Sequence, residues 1–332
     1  MNEPASSVAN KASNGVKRKK VVRIGGGSGG YTLLRGLKEF PFDITAVFTS
    51  FDSGGSHGVL REEFGMVATG DVRRGLLALA DEKQAEILRK LFEHRFEKEG
   101  SALHRHSFGN LFLVALSSIY GGEVEGIRKA SQLLNIKGKI LPVSLDRAHV
   151  HAMLENGEEI VGETNIDIPK HNGDFRIKEV FLKPSAKIYE ETDAAIRAAE
   201  LIVVGPGDLY SSLVPTLCVE GMQEALQGTK AKTIAVCNLM TKWGETHGFS
   251  CSDMIRELLR YSGLKKFDYV ICNTGIMDSK ILAAYEKEKK YPMMCDPELE
   301  GLAERVITGD FFSEADVARH DSDKIAKIIS EL

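Results

Sequence analysis

Nothing in this chain approaches the ~18 consecutive apolar residues of a membrane-spanning helix, so no membrane span is expected. Cysteine is scarce: Cys218, Cys237, Cys251, Cys272 and Cys295 are an odd number, widely spaced, with no CxxC pair. That pattern argues against a disulfide framework and suits reduced thiols, Cys237 and Cys272 buried in strands, in a cytoplasmic protein. Close pairs of metal-ligand type are confined to His104-x-His106 and His149-x-His151. The second pair lies in an alternating segment where positions i and i+2 share a strand face, and an exposed strand face is a plainer reading than zinc. Prolines number nine and aromatic residues make up 7%, with no low-complexity tract, which excludes collagen-like and disordered classes. Three catalytic patterns are also missing: GxxxxGK[ST], HExxH, and a Ser-His-Asp order at plausible spacing.

What is present is a chain of 332 residues, 43% hydrophobic and 27% charged, long enough to fold without a disulfide or metal staple. Its net charge of −4 hides an asymmetry. Residues 1–20 carry +4, chiefly from Lys17, Arg18, Lys19 and Lys20, and the remainder carries −8. An acidic body argues against nonspecific nucleic-acid binding. The first residues are rich in Asn, Ser and Ala without a long apolar run, so residues 1–20 read as a disordered basic tail rather than a secretory signal.

Apolar runs alternate with helical periodicity along most of the length. Strands are expected at 21–24, 44–49, 139–145, 201–204, 233–237 and 267–272, with helices at about 31–40, 72–80, 84–96, 111–119 and 124–134. Such alternation implies an α/β fold: a Rossmann-like, mainly parallel sheet with helices on both faces. Residues 145–183 break the pattern. Asn156-Gly157 is a hairpin signal between 149–154 and 159–163, and 174–182 alternates again. This predicts a small antiparallel β insertion within a single α/β unit spanning 21–332.

Glycine carries the site. Gly25, Gly26, Gly27, Ser28, Gly29 and Gly30 lie between a strand and a helix and satisfy GxGxxG. Such a loop lets backbone approach a diphosphate at a helix N-terminus. Asp52 follows the second strand, about where a dinucleotide fold places its ribose-binding acid. That pairing alone points to an NAD(P)-dependent oxidoreductase. However, Ser53, Gly54 and Gly55 open a second glycine loop, and Gly205 and Gly207 a third that runs to Ser211. Several such loops suit a ligand with more than one phosphate, or a phosphate and a sugar. Asp71, Ser107 and Asn110 sit at helix starts, where capping competes with ligand contact; Asn238 and Thr241 leave a strand at its carboxyl end.

The motifs GGGSGGYTLLRGLKEF, FDSGGSHGVLREEFG, GDVRRGLLALAD, HSFGN, GPGDLYSS and CNLMTKWGETHG occur in the order that resembles the gluconeogenesis factor family. That family belongs to a CofD-like group whose other branch is the 2-phospho-L-lactate transferases. The likeness covers about 21–321. The second loop has the DxGGSxGxLR form of the gluconeogenesis factors rather than the DDxxxxGLxxSPDLDT form of the transferases. Ser53, Arg74 and Lys242-Trp243 depart from the usual Asp, Asn and Gln-Pro. Losing an acid beside Asp52 weakens the case for a metal bridging carboxylates there. The resemblance implies a cytoplasmic homodimer that binds a UDP-sugar and acts in cell shape and growth on gluconeogenic carbon, with no required cofactor. Tyr285 and Arg319, the latter in an Arg-His-Asp run, join the candidate ligand residues. The alternatives are a Mg²⁺-dependent transferase of phospho-containing groups, as in the sister branch, and the NAD(P) oxidoreductase.

Overall fold

The structure, a computed structural model, describes residues 18–53, 64, 69–313 and 317–332. Its strands are β1 (Lys19–Ile24), β2 (Phe42–Phe48), β3 (Lys139–Pro142), β4 (His149–Leu154), β5 (Glu159–Val161), β6 (Ile177–Lys183), β7 (Leu201–Val204), β8 (Lys232–Val236), β9 (Phe267–Asn273) and β10 (Ala303–Gly309). Seven of them form one sheet in the order β10-β9-β8-β7-β1-β2-β3, every neighbouring pair parallel. The other three form an antiparallel sheet, β5-β4-β6.

Helices cover both faces. After β1 comes α1 (Gly27–Leu37). Between β2 and β3 lie α2 (Thr69–Leu79), α3 (Glu82–Glu93), α4 (Phe108–Tyr120) and α5 (Glu123–Leu133). The short α6 (Glu163–Asp167) joins β5 to β6, and α7 (Glu190–Arg197) leads into β7. A π-helical turn, Leu209–Leu213, then runs into α8 (Val214–Leu217) and α9 (Met222–Gly228). The chain ends with α10 (Cys251–Ser262), α11 (Ser279–Glu286), a 3₁₀ turn at Pro297–Gly301 and α12 (Ser322–Glu331). No helix among the described residues is long and apolar enough to cross a membrane.

Strand pleating explains why runs such as Leu201–Val204 are apolar throughout. Val21 and Val203 enter one core with Leu33, Leu34 and Leu37 of α1, whereas Val22, Ile24, Ile202 and Val204 enter the other. Each such side chain, removed from water, stabilises the fold by about 1.5–3 kcal/mol. The antiparallel sheet is not free-standing: Val150, Ala152, Ile160 and Val180 belong to the second of these cores.

The structure shifts several expected boundaries. β1 begins at Lys19, inside the stretch read as a basic tail, because Lys19 and Lys20 pair with Phe42 and Asp43; residues 1–17 lie outside the described residues. The first helix starts at Gly27 instead of near Tyr31, so the glycine run itself winds into its first turn. The strand expected to reach Leu145 stops at Pro142, whose ring nitrogen cannot donate to a ladder. His151 is buried rather than part of an exposed face: it pairs with Glu159 at 2.7 Å and stacks on Phe181.

Candidate functional site

Sheet order fixes where a ligand can enter. From β1 the sheet grows through β2 and β3 on one side and through β7, β8, β9 and β10 on the other. Open α/β sheets bind ligands outside the carboxyl ends of their strands at such a reversal. Two cavities lie there. One, of about 280 Å³, is lined by residues that include Ser28, Gly29, Asn238, Thr241, Lys290 and Arg319. The other, of about 480 Å³, is lined by residues that include Thr49, Asp52, Arg74, Arg95, Glu163 and Asp167. Gly27, Ser28 and Asp208 border both, so the cavities are two lobes meeting at the start of α1.

The six-residue glycine loop splits into inward and outward halves. A Cβ on Gly30 would lie 2.2 Å from the Arg23 guanidinium, one on Gly25 would meet Leu213 and Arg23, and one on Gly26 would meet Asp71. The space beside these three glycines is thus filled by protein, and they line neither lobe. Only around Gly27 is the space open; its φ is +73°, where glycine is favoured. The Gly26 N–H donates to Ser212 Oγ at 2.9 Å, and the Gly27 N–H to Asp71 Oδ1 at 3.0 Å. Asp71 is thus no cap of its own helix, which begins two residues earlier; its carboxylate caps α1 from a distance. Burial pushes the Asp71 carboxyl up, while Arg74 and the Gly27 N–H pull it back. Ser28 and Gly29 follow in the first turn, where a helix has no internal acceptor for its N–H groups. That end of the helix favours an anion.

Arg23 escaped the sequence reading. It is fully buried below the loop. Its guanidinium donates to the carbonyls of Gly25, of Gly26 at 3.3 Å and of Pro206 at 2.8 Å, tying the first glycine loop to the third. Burial lowers its pKa to about 10, with Asp71 acting in the opposite direction. A lone Arg inside a Val-Val-Arg-Ile run was the available signal.

In the third loop, Gly205 (φ +84°) packs against the Val236 carbonyl and Gly207 lines the smaller lobe. Asn238 clamps this loop: its Oδ1 accepts the Gly207 N–H at 3.1 Å and its Nδ2 donates to the Gly207 carbonyl at 2.9 Å. The Ser211 N–H and hydroxyl both donate to Glu245, at 3.1 and 2.9 Å, and the Tyr210 N–H does so at 2.8 Å. Asp167, Asp208 and Glu245 offer carboxylate oxygens within 4.8 Å of one another, the one group among the described residues with the spacing of a metal site. Lys242 Nζ stands among them, against Asp167, 2.9 Å from Asp208 and 3.0 Å from Glu245. Burial pulls the Lys242 pKa down, but Glu245, Asp208 and Asp167 together outweigh it and raise it. With an ammonium in place, these acids do not fit a divalent ion.

The larger lobe is acidic. Asp52 lines it four residues past the end of β2, and Asp167 and Glu163 face it from α6. Burial, then the charges of Asp52 and Asp167, push Glu163 up to about 8. Ser53 lines neither lobe; its hydroxyl accepts the Thr164 N–H at 3.3 Å and so holds the β2 exit to α6. Gly54 and Gly55 lie outside the described residues.

Three more expected contacts, Ser107, Thr241 and Tyr285, turn out to hold backbone. Ser107 and Asn110 are fully buried and line neither lobe; the Ser107 hydroxyl caps α4 by accepting the Asn110 N–H at 3.4 Å. Thr241 accepts the Tyr291 N–H on its hydroxyl at 3.0 Å while lining the smaller lobe. The Tyr285 hydroxyl accepts the Ala318 N–H at 3.1 Å, beside the exposed Arg319. His320 is buried next to them, its pKa lowered by burial to about 4 despite a bond to the Cys237 carbonyl.

Residues 21–312 match the family described as 2-phospho-L-lactate transferase CofD. The chain is 40% identical over 319 residues to a gluconeogenesis factor of Halalkalibacterium halodurans, covering 95% of this chain and 97% of that one. It is 38% identical over 319 residues to a gluconeogenesis factor of Bacillus subtilis, covering 95% and 98%. An X-ray crystal structure of a protein from Bacillus halodurans superposes with a TM-score of 0.88 at 39% identity, covering 95% of this chain and 100% of that one.

Proposed function

The chain belongs to the CofD family, and from that premise we propose that it is a cytoplasmic gluconeogenesis factor that binds a nucleotide sugar, of the UDP-sugar type. The observation that carries this reading is the pair of unlike lobes joined at Gly27–Ser28. One lobe offers Lys290, Arg319 and the open N–H groups at the start of α1, a chemistry for a diphosphate. The other offers Asp52, Glu163 and Asp167, acceptors for the hydroxyls of a sugar. A ligand with both parts fills both lobes.

The role follows the same reading: ligand occupancy reports nucleotide-sugar supply, and the protein acts on cell shape and growth on gluconeogenic carbon, as a homodimer. A transferase reading has one observation in its favour, Glu163, whose carboxyl burial pushes up to about 8 and which lines the larger lobe as an acid-base group would. The test is a thermal-shift and calorimetric panel of UDP-sugars, UDP, GDP and NAD, with and without Mg²⁺. A ligand that binds only the native state raises its melting temperature. UDP-sugars should give the largest shift and remain chemically unchanged. A larger shift with NAD, or none with any nucleotide, would count against the proposal; turnover of the donor would transfer support to the transferase reading.

A further inference from the structure

Lys242 stands where a bound cation would. Its ammonium touches Asp167, Asp208 and Glu245, whose oxygens lie close enough together to share a single metal ion. An ammonium has three N–H donors, one for each acid. The acids come from three separate pieces of chain: Asp167 ends α6 beside the antiparallel sheet, Asp208 belongs to the loop after β7, and Glu245 follows β8. Glu245 is completely buried and holds the π-helical turn through Tyr210 and Ser211, so the ammonium reaches that turn through it. The backbone that carries the lysine stem is held as well. The Lys242 N–H donates to Thr246 Oγ1 at 3.0 Å, and the Lys242 carbonyl accepts the N–H of Thr246 at 2.8 Å and of Glu245 at 3.1 Å. A divalent ion bound to the same oxygens would sit roughly 2.0–2.6 Å from each, in the space that Nζ fills.

We propose that Lys242 is a tethered cation that takes the place of a divalent metal between the two lobes, making ligand binding by this protein independent of divalent metal. Three carboxylates gathered this closely repel one another unless a positive charge sits between them. In this chain that charge is covalently attached, so the Asp208 border shared by the lobes is set before any ligand or metal arrives. The converse also holds: without the ammonium, the trio becomes a divalent-cation site that the native chain lacks. Only the ligand half of this inference rests on the nucleotide reading above. The cation half concerns the carboxylates alone.

The experiment therefore reads metal first, using Mn²⁺ as the probe and electron paramagnetic resonance on the full chain. Native protein and Asp208→Asn should bind Mn²⁺ alike. Lys242→Gln should gain one Mn²⁺ per chain, lost again in Lys242→Gln/Asp208→Asn, and its melting temperature should rise with Mn²⁺ where that of the native protein does not. A native Mn²⁺ site that disappears in Asp208→Asn overturns the proposal, and this comparison needs no lysine variant. A folded Lys242→Gln with no added site also overturns it. In the second arm, native affinity for UDP should agree within about twofold in EDTA and in millimolar Mg²⁺. A tenfold gain with Mg²⁺ contradicts metal independence, whereas a failure of UDP to bind in either buffer contradicts the nucleotide reading and leaves the Mn²⁺ result to decide the role of Lys242.

Discussion

The two lobes are built from the same kind of material, loops leaving parallel strands, yet they carry opposite charge. The smaller gathers Lys290 and Arg319 around the first turn of α1; the larger gathers Asp52, Glu163 and Asp167 around α6. The difference lies in what supplies the far wall. Segments after β8 and before α12 close the smaller lobe, whereas the antiparallel insertion lends α6 to the larger. The parallel sheet provides an anion seat at its switch point, and the insertion adds acceptors beside it. On the proposed reading, one fold element sets a generic affinity for phosphate and the other a preference for what the phosphate carries.

The change with the largest expected effect would erase both lobes together. Arg23→Met removes the donors that serve the carbonyls of Gly25, Gly26 and Pro206 beneath the loop. Charge-assisted bonds of this kind contribute roughly 1.5–3 kcal/mol each and are not additive, so a loss of about 3–5 kcal/mol is expected. Urea unfolding measures it. A loss below about 1 kcal/mol would show that the loop does not depend on the guanidinium.

The lobes can next be separated by ligand. Arg319→Ala should weaken UDP and UDP-sugar equally, by about 10- to 100-fold, a range set by one charged hydrogen bond. Its melting temperature should stay unchanged because Arg319 is exposed. Asp52→Ala should weaken the UDP-sugar but leave UDP within about twofold. Calorimetry that finds equal losses for both ligands in Asp52→Ala would dissolve the distinction between the lobes.

The lobes also separate by pH. Glu163 has a folded pKa raised from 4.5 to about 8, so its contribution to stability is fully present below 4.5 and is lost as pH rises through 8. His320 has a folded pKa lowered from 6.5 to about 4, so its contribution is present above 6.5 and is lost as pH falls through 4. The acidic lobe thus loosens in base and the basic lobe in acid. Melting curves from pH 4 to 9 should show Glu163→Gln flattening the alkaline limb only. An unchanged alkaline limb would mean that Glu163 is already ionised at neutral pH.

Much of this was readable from residue order. Leu201–Val204 is apolar throughout because both faces of a parallel sheet are covered, and Asn156-Gly157 marks its hairpin by turn chemistry alone. The site was less legible, for a physical reason. A glycine says that a Cβ would collide, but not with what; at Gly30 the neighbour is Arg23 and at Gly26 it is Asp71, both part of the protein. Lys242 stood out only as a departure from a usual Gln, and Glu163 not at all, since Asp208 and Asp167 lie 34 and 75 residues from Lys242 and Asp52 lies far back in the chain from Glu163, and these groups meet only through sheet order. β10 was missed because its exposed Glu304 and Arg305 interrupt the apolar pattern.

The most direct test of the two-lobe account is a crystal structure of the protein with a bound UDP-sugar. The account predicts the diphosphate within hydrogen-bond distance of the Ser28 and Gly29 N–H groups and near Arg319, with the sugar reaching toward Asp52 and Glu163. A nucleotide found against the antiparallel sheet, or lying wholly inside one lobe, would contradict it.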